Sequence, residues 1–306
     1  MSKVLVTGGA GFIGSHVVDK LYEWDHDVVV IDDLSTGNIN NMKYSREVIS
    51  CSITDDLSYI FDQHKFDYVF HLAAQINLRD SINEPSKDAK TNILGSINLI
   101  ENCYRTGVKK FIFSSTGGAI YSPSEPLPWT TDSKADPQSP YGLSKLTVEK
   151  YLRLMKQLHG LEYVSLRYSN VFGPRQNSKG EAGVISIFIN NILKNKDITI
   201  FGSGEQTRDF VYVKDVVSAN ILALREDISG TYNVSTNTEY DVNTIASLLL
   251  NKMNASNSVV HSEAVKGELM QSRLCYNKLA DSGWKPNYDL ETGLDETIAF
   301  FKSDVI

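Results

Sequence analysis

A tyrosine and a lysine four residues apart form the pattern in this sequence that is best suited to acid–base chemistry. Tyr141 and Lys145 lie in the segment Tyr-Gly-Leu-Ser-Lys, and of the 15 tyrosines only Tyr141 has a lysine at that spacing. Residues four apart share one face of a helix, so the ammonium group lies beside the phenol. Because a nearby positive charge favours the phenolate, the pair predicts a general base near neutral pH.

A segment rich in hydroxyl groups lies earlier in the chain than this pair, at the end of an apolar run. Ser114, Ser115 and Thr116 directly follow Phe113. The carboxyl ends of parallel strands form the edge at which open α/β sheets bind ligands. We therefore expect Thr116 to bond the substrate oxygen whose proton Tyr141 takes, although a capped turn before two glycines would also explain a threonine here.

Glycines at fixed spacing follow the first apolar run of the chain. Gly8, Gly11 and Gly14 stand between a strand pattern and a helix pattern, and Asp32 closes the second strand pattern. Glycines in this context let a dinucleotide pyrophosphate approach the start of the helix, whose free N–H groups bind anions. An acidic residue at the position of Asp32 bonds the ribose hydroxyls and repels a 2′-phosphate, which favours NAD over NADP. The positive nicotinamide would add to the effect of Lys145 on Tyr141.

Short apolar runs alternate with longer segments of helical periodicity. The predicted strands are 3–7, 28–31, 68–72, 109–114 and 162–167, and the predicted helices are 12–23, 91–105 and 141–159. This alternation produces right-handed βαβ units and a parallel sheet with helices on both faces. The predicted fold class is therefore α/β, a doubly wound parallel sheet of the Rossmann type with a smaller C-terminal substrate-binding lobe.

The patterns also suggest where the chain divides. Five of the eight prolines lie between Pro123 and Pro140, in a loop of about twenty residues that is unusually long unless it has a function. After Tyr168 the strand and helix patterns become shorter. We expect an NAD-binding domain over 1–168 and a substrate-binding lobe over 169–306, with about 210–234 returning to the main sheet.

Composition excludes several classes of partner. The net charge of -7 argues against nucleic acid and anionic membranes, and no apolar run is long enough to cross a membrane. The chain start shows no signal-peptide pattern, so we expect a cytoplasmic protein. Three widely spaced cysteines and six scattered histidines predict neither a disulfide framework nor a metal site.

Taken together, the motifs resemble one known family. The sequence is similar to the extended short-chain dehydrogenases/reductases, and specifically to UDP-glucose (UDP-hexose) 4-epimerases, in the following segments: Gly8 to Gly14, Asp32, His71 to Ala74, Asn92, Ser114 to Tyr121, Tyr141 to Lys145, Arg167 to Asn170 and Arg208 to Val213. The resemblance covers essentially the whole chain. It implies an NAD-dependent enzyme that oxidises a UDP-sugar at C4, lets the 4-keto intermediate rotate, and reduces it on the other face.

The resemblance also implies roles for individual residues. The implied catalytic residues are Thr116, Tyr141 and Lys145. The implied cofactor-binding residues are Gly8, Gly11, Phe12, Ile13, Gly14, Asp32, Leu34, Ser35, Gly37, Asn38, Ser52, Ile53, Leu72, Ala73, Ala74, Gln75, Asn92, Ser114, Tyr141, Lys145 and Tyr168. The implied substrate-binding residues are Ser115, Thr116, Asn170, Val184, Phe201, Arg208, Glu268 and Ser272. The family commonly forms homodimers through the helices at about 91–105 and 141–159.

The chain departs from the family pattern at three places. Ser52 stands where an aspartate is usual, and Val265, with Lys266 beside it, stands where an arginine commonly binds phosphate. The segment 115–121 is one residue longer than usual, so either Ser115 or Thr116 supplies the catalytic hydroxyl. Ser272 occupies the position of a gate beside the sugar C2 substituent, where a small residue admits an N-acetyl group.

Three other functions stay open at this point. A 4,6-dehydratase of nucleotide sugars would carry an Asp-Glu pair where this chain has Gly117 and Gly118, which disfavours dehydration. A 4-epimerase or decarboxylase of UDP-glucuronate would share most of the same motifs. A non-catalytic NAD-binding protein is the remaining alternative, against which Thr116, Tyr141 and Lys145 argue.

Overall fold

A computed structural model of the protein describes residues 1–44, 47–177, 183–264 and 269–304. Its strands are β1 Lys3–Thr7, β2 Asp27–Asp32, β3 Glu47–Ser50, β4 Tyr68–His71, β5 Lys110–Thr116, β6 Glu162–Tyr168, β7 Asn170–Phe172, β8 Ile198–Phe201, β9 Thr207–Tyr212, β10 Gly230–Val234, β11 Glu239–Asp241 and β12 Val259–Ser262. Its α-helices are α1 Phe12–Glu23, α2 Ser58–His64, α3 Leu78–Asn83, α4 Pro85–Asp88, α5 Ser96–Thr106, α6 Pro140–His159, α7 Val184–Leu193, α8 Val213–Leu222, α9 Val242–Met253, α10 Asn277–Ala280 and α11 Leu290–Asp304. A 3-10 turn spans Ile39–Asn41, and a π-helix spans Ala89–Gly95.

The main sheet has seven strands in the order β10-β6-β5-β4-β1-β2-β3. The pairs β1 with β2, β1 with β4, β2 with β3, and β4 with β5 are all parallel. Because parallel strands need crossover connections, a helix or turn of helix follows most of them. The predicted fold class, a doubly wound parallel α/β sheet, is confirmed.

Apolar side chains on both the strands and the helices explain this architecture. One buried cluster joins Leu5 of β1 and Phe111 of β5 to Phe61 of α2, Leu99 of α5 and Val148 of α6. Strands covered on both faces consist of nearly continuous apolar residues, as β1 and β2 do here. The edge strand β3, which the sequence prediction lacks, has no buried residue, so its sequence gives a weak strand pattern.

The chain divides into two compact units. Unit 1 comprises 1–122, 133–167 and 217–232, and it contains the seven-stranded sheet except for the last residue of β6 and the last two of β10. Unit 2 comprises 123–132, 168–216 and 233–306. It contains a three-stranded sheet in the order β11-β9-β7 and a two-stranded sheet of β12 and β8.

A buried carboxylate organises the middle of unit 2. The side chain of Asp209 is 0% exposed and accepts hydrogen bonds from the backbone N–H groups of Thr236, Asn237 and Leu274, over 2.9, 3.1 and 3.3 Å. The Oγ1 of Thr236 donates a further bond to it over 2.8 Å. Because buried carboxylates need such donors, Asp209 fixes the loop after β10 and the 270–275 segment against β9.

Candidate active site

The glycine-rich turn joins β1 to α1 and leaves no room for side chains. The backbone of Gly8 has a φ of 71°, and a Cβ atom on Gly14 would lie 2.1 Å from the carbonyl oxygen of Gly8. The N–H of Gly11 donates to that same oxygen over 3.1 Å. The turn therefore brings the N-terminus of α1 and its free N–H groups to the carboxyl end of β1, an arrangement that fits the pyrophosphate of a dinucleotide.

Asp32 lies at the carboxyl end of β2, next to this turn. Its side chain is 7% exposed and accepts hydrogen bonds of 2.9 Å from the backbone N–H groups of Ala10 and Leu34. Burial raises the pKa of Asp32, and the two N–H donors lower it. Gly37 packs so closely that a Cβ atom there would lie 2.9 Å from Oδ1 of Asp32. This arrangement fits a carboxylate that bonds the adenosine ribose, as the sequence predicts.

A chain of hydrogen bonds connects β1 to the π-helix through His71, the last residue of β4. The Oγ of Ser96 donates to the carbonyl oxygen of Asn92 over 2.6 Å, so it accepts from Nε2 of His71 at 2.9 Å. Nδ1 of His71 then accepts from Oγ1 of Thr7 at 2.7 Å. Burial, and next the charge of Lys145, lower the pKa of His71 to about 3. His71 is therefore neutral and positions the turn after β4.

The carboxyl end of β5 separates the two candidate hydroxyls. Ser115 is 4% exposed, and its Oγ donates to Oε1 of Glu149 over 2.6 Å. Glu149 also accepts two hydrogen bonds from Arg167, of 3.0 Å from Nε and 2.6 Å from the terminal nitrogen. Thr116 is partly exposed on the opposite face of the strand, because successive strand residues alternate. Of the two, Thr116 is the hydroxyl that is accessible to a ligand.

Helix α6 carries the tyrosine and lysine of the sequence motif. It begins with Ser139, whose side chain accepts from the N–H of Gly142, and with a proline at its first position. A Cβ atom on Gly142 would lie 2.1 Å from the carbonyl oxygen of Ala119, so the helix start packs directly on the loop after β5. Nζ of Lys145 donates to the carbonyl oxygen of Ser114 over 2.9 Å. Both features hold the helix against the carboxyl end of β5.

The electrostatics of this helix face differ from the sequence prediction in one respect. Burial lowers the pKa of Lys145 to about 8, while the charges of Asp88 and Glu149 raise it. The expected lowering of the Tyr141 pKa by Lys145 is not found in the protein chain itself. Burial raises the pKa of Tyr141 above its ordinary value, and the charge of Asp88 raises it further. A lowered pKa of Tyr141 therefore requires the additional positive charge of the nicotinamide.

The remaining predicted cofactor residues of unit 1 lie in loops and turns near the same sheet edge. Phe12, Ile13 and Gly14 form the first turn of α1; Leu34, Ser35, Gly37 and Asn38 follow β2; Ser52 and Ile53 follow β3; Leu72, Ala73, Ala74 and Gln75 follow β4; and Asn92 lies in the π-helix. Because β1 to β5 are parallel neighbours, their carboxyl ends form one continuous edge. These residues and the glycine turn thus form a cradle that fits NAD.

Hydrogen bonds of Ser52 and Asn92 shape the turns that form this cradle. The N–H of Ser52 donates to Asp55 over 2.8 Å, and its Oγ lies 2.9 Å from Oγ1 of Thr54. Ser52 therefore lies in a short polar turn, at the position where the family usually has an aspartate. Asn92 pairs with the backbone of Gln75 in both directions: its Oδ1 accepts from the N–H over 2.9 Å, and its Nδ2 donates to the carbonyl over 2.8 Å. Asn92 therefore shapes the turn after β4.

The predicted substrate residues, apart from Ser115 and Thr116, belong to unit 2 together with Tyr168, which ends β6. Asn170 begins β7 and is in register with Phe210 of β9, the strand that also carries Arg208. The N–H of Asp209 donates to the carbonyl oxygen of Ser272 over 3.0 Å, so Ser272 lies alongside β9 as well. Val184 begins α7, and Phe201 ends β8 with 45% of its surface exposed. Glu268, Val265 and Lys266 lie outside the described residues.

Two acidic residues near the catalytic motif were not predicted from the sequence. Glu149 follows Lys145 by four residues, so helical spacing alone places both on one face of α6. Asp88 ends α4 and is buried, although its surroundings in the sequence are polar and give no such signal.

Fold and site together define the class of protein. A parallel sheet with a glycine-rich turn, an acidic residue at the end of β2 and a Tyr-x-x-x-Lys helix against the end of β5 are the features of a dinucleotide-dependent enzyme of the short-chain dehydrogenase type. Residues 4–235 match the family described as the NAD dependent epimerase/dehydratase family. The chain belongs to this family, and its cofactor is NAD.

Solved structures similar to this chain include three epimerases. UDP-glucose 4-epimerase of Thermotoga maritima with UDP-glucose is 44% identical, with a TM-score of 0.97 over 99% of this chain and 100% of that chain. UDP-glucose 4-epimerase of Thermus thermophilus with NAD is 37% identical, with a TM-score of 0.93 over 98% and 99%. UDP-N-acetylglucosamine 4-epimerase of Methanobrevibacter ruminantium with UDP-N-acetylmuramic acid is 36% identical, with a TM-score of 0.94 over 99% of each.

Two other kinds of feature are absent from the described residues. No helix in the part of the chain that the structure describes is both long and apolar enough to cross a membrane. Within that same part, no group of three or more His, Cys, Asp or Glu side chains could hold a metal ion.

The geometry of β5 leads to a prediction about the two hydroxyls. Thr116→Ala should lower turnover by about a hundredfold, because it removes the donor that faces the ligand edge. Ser115→Ala should lower turnover less than tenfold, since Ser115 donates to Glu149 inside the protein. Initial rates with saturating substrate measure both effects. The reverse order of the two losses would assign the catalytic hydroxyl to Ser115.

Proposed function

We propose that this protein is a UDP-hexose 4-epimerase that interconverts UDP-glucose and UDP-galactose and also accepts their N-acetylhexosamine forms. One observation carries the proposal: Lys145 bonds the carbonyl of Ser114 at 2.9 Å, which holds the tyrosine–lysine face of α6 against the strand end that presents Thr116. The similar structures with UDP-glucose and NAD support the same substrate and cofactor.

Each of the three catalytic residues has a separate task in the proposed reaction. NAD, when bound, accepts a hydride from the sugar C4 and returns it after the 4-keto sugar has rotated. Tyr141 takes the proton of the 4-hydroxyl as the hydride leaves and gives it back on the return. Thr116 donates a hydrogen bond to the same oxygen and positions it. Lys145, which is buried, is proposed to keep a positive charge beside Tyr141 and, together with the positive nicotinamide of bound NAD, to lower the cost of forming the phenolate.

The loop after β5 favours epimerisation over dehydration. A dehydratase needs an acid and a base to remove water across C5 and C6, whereas this chain has Gly117 and Gly118 at those places. A Cβ atom on Gly118 would meet no atom within 4 Å, so the glycine is not there for lack of space. Because neither position 117 nor position 118 carries a titratable side chain, the chain lacks the acid and base expected at these positions for the loss of water, and we propose that the 4-keto sugar is reduced again.

Unit 2 is proposed to bind the UDP-sugar, and unit 1 to bind NAD through the cofactor residues named above. Arg208 is the proposed partner of the diphosphate, because a guanidinium group binds such an anion through paired hydrogen bonds. Asn170 would contact the sugar, and Val184 and Phe201 would enclose the uridine. Glu268 is retained as a proposed substrate contact.

The proposed assembly is a homodimer in the cytoplasm. Exposed apolar side chains lie along α6 and the π-helix, namely Leu94, Leu143, Tyr151, Leu154 and Leu158. Contiguous exposed apolar surface on a globular protein marks an interaction site. The second copy of the chain is the proposed partner because paired helices of this kind can pack on their own copies.

Tight retention of NAD tests the proposed cycle. Because the hydride is returned in every turn, the purified protein should carry bound dinucleotide and should turn over without added NAD. We expect denaturation to release roughly one dinucleotide per chain, measured by absorbance and chromatography. Asp32→Ala should lose most of this dinucleotide. Protein that releases none, and whose activity depends strictly on added NAD, would contradict the cycle.

Ser272 is proposed to set the size of the sugar that the enzyme accepts. Its side chain is 1% exposed, and its Oγ has no hydrogen-bond partner among the described residues. Ser272→Tyr should lower turnover of UDP-N-acetylglucosamine at least about tenfold more than turnover of UDP-galactose, because a rigid clash discriminates strongly. Product formation with both sugars, followed by NMR, measures the ratio.

Two control variants separate the gate from a general disturbance. Ser272→Ala keeps the residue small and should preserve the wild-type ratio of the two activities. Met270→Tyr places the same aromatic side chain two residues earlier, where the native side chain is 58% exposed, and should also preserve it. An equal loss on both sugars in Ser272→Tyr would reject the gate, as would a wild type that ignores N-acetylated sugars.

A further inference from the structure

Asp88 is a buried carboxylate close to the catalytic motif. It ends helix α4 and is 1% exposed. Its Oδ1 accepts from Nδ2 of Asn92 over 2.8 Å and from Nε2 of Gln75 over 3.3 Å, and its Oδ2 accepts from Oγ of Ser144 over 2.5 Å. All three donors are uncharged. Burying a carboxylate in this way costs free energy, so its presence calls for a function.

The three donors come from three elements that surround the active site. Ser144 lies on α6, directly before Lys145; Asn92 lies in the π-helix; and Gln75 lies in the turn after β4. That turn is the one whose backbone Asn92 also holds. The carboxylate thus connects the catalytic helix to the segment that lines the cofactor. No other side chain described above joins these three elements.

The charge of Asp88 also acts on the catalytic pair. It raises the pKa of both Tyr141 and Lys145. The other titratable groups that face the pair are Glu149 on α6, which bonds Arg167, and His71 on β4, which is neutral. The remaining charged side chains on α3, the π-helix and α5 are exposed, namely Arg79, Asp80, Lys90, Glu101 and Arg105. Of the two carboxylates that face the pair, Glu149 bonds a cation, whereas the hydrogen-bond donors that the structure gives Asp88 are all uncharged.

We propose that Asp88 is a positioning residue of the active site, which fixes the start of the catalytic helix and supplies a negative charge beside Tyr141 and Lys145. The inference rests on the proposed catalytic roles of those two residues. Removing the charge makes the phenolate easier to form and the ammonium easier to deprotonate. Both changes move the pH dependence in the same direction, toward lower pH.

The test compares pH profiles of kcat/KM for wild type and Asp88→Asn, which keeps the shape of the side chain. Both limbs of the profile should move to lower pH by about half a unit or more, since each reports one member of the pair. A role in packing alone would lower the profile without moving it. Asp80→Asn, which removes an exposed carboxylate of α3, is the matched control and should leave both limbs in place.

Ser144→Ala tests the positioning role separately and keeps the carboxylate. We expect turnover to fall at least about threefold and bound NAD to dissociate faster, with the limbs unmoved. Unmoved limbs in Asp88→Asn would overturn the electrostatic role, and wild-type turnover in Ser144→Ala would overturn the positioning role. Should Asp88→Asn fail to fold, the Ser144→Ala result decides the positioning role. Each of these two negative results would reject a role of Asp88 but not the proposed function, provided that Tyr141→Phe abolishes turnover.

Discussion

Tyr141→Phe should lower turnover at least about a hundredfold while leaving folding and NAD binding nearly unchanged. The change removes the group that accepts and returns the proton, and a lost general base typically costs about a hundredfold to ten-thousandfold. The backbone contacts of the helix start remain, including the N–H of residue 141 that donates to Oγ of Ser81 over 3.2 Å. Turnover, circular dichroism and the released dinucleotide measure the three quantities.

A substitution of Lys145 tests the contribution of its positive charge separately from the role of Tyr141 as the base. Lys145→Ala removes one of the two positive charges that are expected to favour the phenolate in the NAD-bound protein, so the acidic limb of the pH profile should move to higher pH. It should also release NAD more easily. A Tyr141→Phe protein that retains turnover within threefold of wild type would reject Tyr141 as the base.

Glu149→Gln should destabilise the protein by about 3–5 kcal/mol, the usual cost of leaving one member of a buried ion pair unpaired. Glu149 and Arg167 are each 5% exposed, and two hydrogen bonds join them. The guanidinium also lies 4.9 Å from the centre of the Tyr121 ring. Losing the carboxylate leaves this cation buried without a counter-charge. Urea unfolding of the NAD-bound protein, followed by circular dichroism, measures the free energy.

An exposed pair with the same chemistry provides the control. Arg225 and Asp227 also form two hydrogen bonds, but their side chains are 50% and 63% exposed. Asp227→Asn should therefore destabilise the protein far less than Glu149→Gln, because water screens an exposed ion pair. The double variant with Glu149→Gln and Arg167→Met should be more stable than Glu149→Gln alone, because it removes the unpaired charge. Equal costs for Glu149→Gln and Asp227→Asn would contradict the role of burial.

Local sequence patterns predicted the fold well where the pattern and the burial agree. The first strand and first helix begin and end as predicted, at Lys3–Thr7 and Phe12–Glu23, because buried apolar runs and a glycine turn mark them. The predicted helix over 91–105 begins inside the π-helix at Ala89–Gly95, and the sequence gives no sign of its wider turn. Its wider turn depends on tertiary hydrogen bonds from Asn92 to Gln75, which a local pattern cannot show.

The candidate site was predictable to the extent that its residues lie in motifs. Tyr141 and Lys145 share a helix face by spacing alone, and Asp32 closes a strand. The choice between Ser115 and Thr116 was not predictable, because it depends on a carboxylate 34 residues later in the chain. The long-range neighbours of the catalytic pair, such as Asp88, become visible only in three dimensions.

The most direct test of the proposed function follows a label at C4. Purified protein without added NAD is mixed with UDP-galactose that carries deuterium at C4, and the products are identified by NMR. We predict UDP-glucose that retains deuterium at C4, because the hydride returns to the carbon that it left. Parallel reactions with UDP-N-acetylglucosamine and UDP-glucuronate define the accepted sugars. Failure to form UDP-glucose, or loss of the deuterium to solvent, would contradict C4 epimerisation by internal hydride return.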